Sequence, residues 1–282
     1  MRSREVAYLG PQGTYAHDVA EKRYGRVAEL IPFETTFEVC DFAAKKPNRL
    51  GVVPIENTSG GTIYPTVDIL SDYKPSMRVR PSLHIEEELS INVKLALAGR
   101  AREKIKTLYS HPAAMSHCDE WLRAHLPHVE RCDVMSTAMA AREASEKQNA
   151  AALCSKKACR AYELDILKYP VRSKVLNVTA FYAVTRKRQV LSGSSKTSIA
   201  FRLKNVAGAL CRFLEPFKNE DVNLSRIISR TIEGCPNEYA FFVSIDGIPQ
   251  NRSVKRAIDK ATSVCESLRI VGTYPVHRRY VS

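Results

Sequence analysis

The sequence predicts an α/β fold over its longer, N-terminal part and a smaller α+β unit after it. Three observations carry this. Short apolar, β-branched runs alternate with helix-period stretches through residues 1–185, the pattern of strands and helices in turn. A Ser/Gly-rich stretch, Gln189-Val-Leu-Ser-Gly-Ser-Ser-Lys196, then interrupts that pattern and reads as a linker. Beyond it the order is strand, helix, strand, strand, helix, strand, the split ferredoxin-like βαββαβ arrangement. The expected division is residues 1–188, a linker over 189–196, and 197–282.

Each element has its local reason. Val6 to Leu9 is apolar and reads as a strand; Gly10-Pro-Gln-Gly-Thr14 is a turn; Tyr15 to Tyr24 is a helix closed by Gly25. Thr36 to Ala44 reads as a second helix. Gly51 to Ile55 is a buried strand, and Glu56-Asn-Thr-Ser-Gly-Gly61 a polar turn into a helix that carries Pro65 in its first turn. Such a turn presents free N–H groups and the positive end of a helix dipole to an anion. Asn57 and Thr58 serve equally well there as simple caps. Arg78 to Leu83 and Leu89 to Ala98 read as extended crossovers. Thr107 to Tyr109 is a strand that delivers Ser110-His-Pro112 to a helix running to Leu126. His111 is a candidate general acid by its ordinary pKa or a structural turn residue. Met135 to Lys147 and Ser155 to Tyr162 read as helices around a buried strand, Ala150 to Leu153. Asn177 to Val184 is a strand with Thr179 and Ala180 on opposite sides. In the last unit, Thr197–Leu203, Val222–Thr231, Glu238–Ile245 and Ile270–Tyr274 are strands, and 208–217 and 252–268 helices. Ligands of open α/β sheets sit outside the carboxyl ends of strands, where the turns at 10–14, 56–61 and 110–112 all fall.

Composition bounds the function. With 282 residues, 44% hydrophobic and 26% charged, the chain is long enough for two domains with real cores. No apolar run is long enough to span a membrane, and no signal-like segment precedes the first strand. The eight cysteines form no Cys-x-x-Cys pair and no zinc-like set, so no metal site is expected and they read as reduced thiols of a cytoplasmic protein. The net charge of +13 comes without a basic tail or a nucleic-acid-binding signature, which argues against a nucleic-acid partner.

Taken together, Gly10-Pro-Gln-Gly-Thr14, Gly51-Val-Val-Pro-Ile-Glu-Asn57, Ser110-His-Pro112 and Asn177-Val-Thr179 resemble prephenate dehydratase in order and spacing. Asn205-Val-Ala-Gly-Ala-Leu210, Ser225-Arg-Ile-Ile-Ser-Arg-Thr231 and Gly272-Thr-Tyr-Pro275 resemble an ACT domain. The resemblance covers nearly the whole chain. It implies a two-lobed, periplasmic-binding-protein-like catalytic domain with a cleft between the lobes, followed by an ACT domain. It implies conversion of prephenate to phenylpyruvate, water and carbon dioxide without a cofactor, feedback by phenylalanine, and a homodimer or homotetramer. Thr179 matches the family's hydrogen-bond donor, and Asn57 and Ser110 complete the implied site. Glu56, Thr58, Thr14 and His111 are the expected substrate-holding residues. His117, which aligns with a usual Gln, is also an expected substrate-holding residue, and either it or a nearby Arg or Lys is expected to compensate for lost pocket side chains. Gly208, Ala209, Leu210, Ser229 and Arg230 are the implied effector residues. The chain also departs from the family: its usual Thr-Arg-Phe is Thr179-Ala180-Phe181, and Ile228 stands where Glu is usual. Such changes leave room for an altered specificity (arogenate, or decarboxylation without aromatisation) or for an amino-acid sensor without turnover.

Overall fold

A computed structural model describes residues 4–100, 104–171 and 175–282. Its elements are β1 (Arg4–Leu9), α1 (Tyr15–Tyr24), β2 (Ala28–Phe33), α2 (Thr36–Lys45), β3 (Arg49–Asn57), β4 (Gly61–Thr62) and α3 (Tyr64–Ser71). There follow β5 (His84–Asn92), β6 (Ala96–Gly99), β7 (Thr107–Ser110), α4 (Pro112–His117), α5 (Asp119–His125), β8 (Glu130–Asp133), α6 (Thr137–Glu146), β9 (Ala150–Cys154), α7 (Lys156–Ala161), β10 (Asp165–Lys168) and β11 (Val178–Thr185). The chain ends with β12 (Lys196–Arg202), α8 (Ala209–Asn219), β13 (Leu224–Thr231), β14 (Tyr239–Asp246), α9 (Arg252–Ser263), β15 (Ser267–Tyr274) and β16 (Tyr280–Val281).

These build three sheets. The first runs β16-β5-β11-β3-β1-β2, with β4 paired to β3. Its β1, β2 and β3 are parallel, whereas β11 runs antiparallel to both β3 and β5. The second sheet runs β10-β6-β9-β7-β8 and the third β13-β14-β12-β15. The chain passes between the first and second sheets at Val93–Leu95 and again before Asn177. Several helices start where a side chain takes up one of their free N–H groups. Thr14 caps α1, Thr35 and Glu38 form a reciprocal box on α2, and Ser136 and Ser155 cap α6 and α7. No helix among the described residues is long and apolar enough to cross a membrane.

The first and third sheets share one apolar core. Tyr182, Val184 and Ile85 pack there with Ala200, Ile228, Phe242, Val271 and Tyr274. The other face of the third sheet is covered by α8 and α9 through Phe201, Phe213, Phe217, Val254 and Ile258. Gly272 marks the closest approach between the sheets, since a Cβ there would lie 2.5 Å from the Ile85 carbonyl oxygen.

Several expectations are corrected. Glu56 and Asn57 belong to β3, which turns back through Gly61–Thr62 as a hairpin; the following helix begins only at Tyr64 and has no side-chain cap. The turn is therefore not a helix N-terminus, and neither Asn57 nor Thr58 caps one. The helix expected to reach Leu126 breaks at Cys118 into α4 and α5. The helix expected over 252–268 ends at Ser263, because β15 begins at Ser267. Strands β2, β4, β8, β10 and β16 are additions to the sequence reading. The 189–196 stretch is not a free tether: Gln189 bonds Glu86, and Val190 bridges to Thr273.

Candidate active site

A cleft of about 360 Å³ lies between the first and second sheets. The three turns singled out in the sequence meet on its walls. Gly10 and Thr14 come from the first turn, Asn57, Gly60 and Gly61 from the β3–β4 hairpin, and His111 from the start of α4. Asn177, Thr179 and Phe181 form the floor, and Met135, Ser136 and Thr137 the opposite wall. No charged side chain is part of this lining among the described residues.

Asn57 organises the polar part. Its Oδ1 accepts from the backbone N–H groups of Ser59 and Gly60, at 2.9 and 2.8 Å. Those donors fix which end of the amide is oxygen. Its Nδ2 then donates to Asn177 Oδ1 at 2.7 Å and to Thr179 Oγ1 at 2.8 Å. The Thr179 hydroxyl is thereby an acceptor toward Asn57, so its own proton is left to donate elsewhere. Thr179 is buried but faces the cleft. A bulge lies beside this pair: Thr179 and Ala180 align with Asn57 and Glu56, but Phe181 aligns with Pro54, which leaves Ile55 out of register. Bulges re-aim side chains in this way next to functional sites.

The other residues divide plainly. Thr14 lines the cleft, but its hydroxyl donates to the Leu9 carbonyl and accepts from His17 N–H. Tyr15 and Ala16, in the first turn of α1, line the cleft beside it. His111 lines the cleft, and its Nδ1 accepts from Ala113 N–H at 3.2 Å, which places the ring proton on Nε2. Desolvation lowers its pKa, against a smaller opposing effect of the Asp133 charge. The ring is therefore neutral at neutral pH.

Ser110 is fully buried, donates to the Leu153 carbonyl at 2.7 Å and does not line the cleft. Glu56 points the other way and pairs with Arg226 of β13. Thr58 lies outside the lining; its hydroxyl donates to the Leu176 carbonyl and accepts from Val178 N–H, tying the hairpin to β11. His117 stands at the rim, where its Nδ1 meets Ser59 Oγ at 2.9 Å across the two sheets. Burial lowers its pKa.

In the third sheet, Gly208, Ala209 and Leu210 line a separate pocket of about 210 Å³ with Val206, Tyr239 and Phe241. Ser229 is exposed and outside that lining. Arg230 is also outside it: the guanidinium makes a two-pronged pair with buried Asp68 of α3, at 2.7 and 2.8 Å. Sequence reasoning missed Asn177 and Ser136 as site residues. The signal for Asn177 was its place two residues before Thr179 on the same strand face; that for Ser136 was a helix-capping serine.

A family model described as prephenate dehydratase matches residues 6–189. The chain is 33% identical over 273 residues to a bifunctional chorismate mutase/prephenate dehydratase of Aquifex aeolicus, covering 96% of this chain and 73% of that protein. It is 32% identical to the chloroplastic arogenate dehydratase/prephenate dehydratase 2 of Arabidopsis thaliana, covering 96% of this chain and 72% of the relative. Among solved structures, prephenate dehydratase from Arthrobacter aurescens in complex with L-Phe superposes with a TM-score of 0.83 at 25% identity, over 96% of this chain and 90% of that one.

Proposed function

The chain belongs to the prephenate dehydratase family, and on that footing we propose how its cleft turns prephenate into phenylpyruvate, water and carbon dioxide. Loss of carbon dioxide pushes an electron pair into the ring, which aromatises as the ring hydroxyl departs. That hydroxyl needs one proton to leave as water. Thr179 is the donor toward it, because Asn57 occupies the hydroxyl as acceptor and leaves its proton free; this single observation carries the reading. A threonine is too weak an acid to give up its proton outright, so it donates a hydrogen bond to the departing oxygen, which takes its proton from solvent water as it leaves, while Asn57 with Asn177 holds the threonine hydroxyl in place. Asn57 is a positioning residue, since its amide is saturated by protein partners. Ser110 acts one layer further out, by holding β7 to β9. The carboxylates of prephenate lie toward the N-termini of α1 and α6, which substitute for absent cationic side chains, and His111 Nε2 donates to one of them.

The test is phenylpyruvate formation from prephenate by the purified protein, read in alkali. Thr179→Ala is expected to lower kcat about a thousandfold, within the range of general-acid effects, with ligand affinity and melting temperature retained. Turnover near that of the unchanged protein would remove Thr179 from the mechanism. Arogenate is the second substrate to try. Its ammonium group meets no acidic side chain in the lining, so prephenate is expected to be preferred.

The third sheet, with its two helices on one face, serves as an ACT domain, and the pocket at Gly208–Leu210 as its phenylalanine site. The pocket's aromatic wall of Tyr239 and Phe241 supports that reading, as does the relative solved with L-Phe. Residues 1–188 form the two-lobed catalytic domain, and the protein works in the cytoplasm as a homo-oligomer. Calorimetry with phenylalanine and sedimentation with and without it test both. Silence up to millimolar ligand, with a monomer throughout, would overturn them.

A further inference from the structure

We propose that Arg226, from the third sheet, is a positioning residue for the reaction: it clamps Glu56 and so fixes the bulged end of β3 that carries Asn57. The proposal rests on the Thr179–Asn57 reading above.

Four observations carry it. Arg226 is the side chain that reaches β3: its Nε and Nη2 both bind Glu56 Oε2, at 3.1 and 2.9 Å. The guanidinium is nearly buried, with its side chain 11% exposed. Its Nη1 is held by the Tyr182 hydroxyl and lies 3.8 Å from Glu88 Oε2, so two strands of the first sheet, β11 and β5, fix the arginine from behind. Finally, Glu56 sits between the unpaired bulge at Ile55 and the pair Asn57–Thr179. A bulge frees the backbone from ladder register. On the cleft side Asn57 is held by Asn177, Thr179 and the Thr58 ties to β11; on the opposite face of β3 the restraint next to the bulge is the Arg226–Glu56 pair.

The same geometry explains Ala180. It aligns with Glu56 across the strands, so the two side chains share a face and stand close together. That face packs into the core shared with the third sheet, not into the cleft. A cation on β11 at this position would stand beside Glu56, where Arg226 now comes from the third sheet. The chain therefore has a cation at this carboxylate, delivered from a different strand.

The experiment uses the full chain with prephenate as substrate. Arg226→Ala is expected to lower kcat at least about tenfold with KM within about threefold, the mark of an interaction that matters in the transition state and not in binding. Arg226→Lys, which keeps charge but not the fork, should recover part of the loss. The decisive variant is Arg226→Ala with Ala180→Arg, which returns a guanidinium to Glu56 from β11 and should regain at least about fivefold in kcat over Arg226→Ala. Ala180→Arg alone crowds a second cation against the first and should not raise kcat. Melting curves accompany every variant, and if Arg226→Ala fails to fold, Glu56→Gln reads the same contact from the other side. A folded Arg226→Ala with unchanged kcat, a loss expressed in KM alone, or a double variant no better than Arg226→Ala would each overturn the proposal. Thr179→Ala in the same assay separates the two levels. If it retains turnover, the reading of the cleft fails; if it is inactive while Arg226→Ala is normal, only the role of Arg226 fails.

Discussion

The first sheet meets its two neighbours in opposite ways. Against the third sheet it is joined by a continuous apolar core and by arginines that cross it. Arg226 reaches Glu56, Arg230 reaches Asp68, and Arg269 donates to the carbonyls of Leu70 and Leu83. Against the second sheet the contacts are mixed: Ser155 Oγ to the Gly13 carbonyl is buried, with Gly13 close against Ala158 and Tyr15 packed on the second sheet's core, whereas Lys157 to Glu21 and Ser59 to His117 are exposed polar contacts. Between them lies the cleft. Buried apolar area and desolvated charge pairs resist separation, whereas exposed polar contacts exchange with water at little cost. On that difference the first and third sheets are expected to behave as one body, and the second sheet as the part that opens for substrate.

The largest expected effect is on the closed seam. Arg230→Met leaves the Asp68 carboxylate, whose side chain is 7% exposed, without its bidentate partner. Removing one member of a buried pair costs about 3–5 kcal/mol; Lys74, 3.7 Å from Asp68 Oδ2, keeps the loss at the lower end of that range, read by urea unfolding. Replacing both residues, Arg230→Met with Asp68→Leu, should restore most of that. A single variant within about 1 kcal/mol of the unchanged protein would show that the seam does not depend on this pair. Next comes Gly272→Ala. The new methyl would meet the oxygen, Cβ and nitrogen of Ile85 at 2.5, 2.8 and 2.9 Å, and backbone cannot swing aside as a side chain can. A loss of about 3 kcal/mol is expected, at the upper end of overpacking effects; an unchanged midpoint would mean that the sheets are not in hard contact. At the open seam, Lys157→Ala should cost less than about 1 kcal/mol, as exposed pairs do. A loss as large as that of Arg230→Met would erase the contrast.

The sequence made the central elements legible and the edges obscure, for a physical reason. β3 and β11 are buried on both faces, so their apolar, β-branched residues stand out. β8 and β10 are largely exposed and carry no alternation to read, and β2 sits at an edge that tolerates Pro32. Asn57, Thr14 and His111, singled out in turns after strands, and Thr179, singled out by the resemblance, line one cleft, because strand ends and the turns after them are readable locally. Ser110 was placed one layer too far forward: a hydroxyl at a strand end can point to either side, and this one satisfies a carbonyl beneath. Glu56 and Arg230 were assigned to ligands because their partners lie 170 and 162 residues away in sequence. Nothing local distinguishes a charge awaiting a ligand from one already answered by a distant strand.

The smallest expected effect concerns pH and compares one histidine from each seam. His84, on β5 in the closed seam, has its pKa lowered by desolvation and by the nearby charges of Arg269 and Arg188. His117, at the open seam, is lowered by desolvation alone. Each has a folded pKa below the unfolded value of about 6.5. The unfolded chain therefore binds more protons across the interval between the two, and stability rises with pH there. It is fully present above about pH 6.5 and falls as the solution is acidified through that interval. His84→Gln and His117→Gln should both flatten the dependence of melting temperature on pH between about 5 and 7. Only His117→Gln should also change the acid limb of kcat/KM, because of these two rings only that of His117 touches the hairpin that lines the cleft. If His84→Gln shifts the activity profile as much as His117→Gln does, the two seams are not independent and the second sheet is not the moving part.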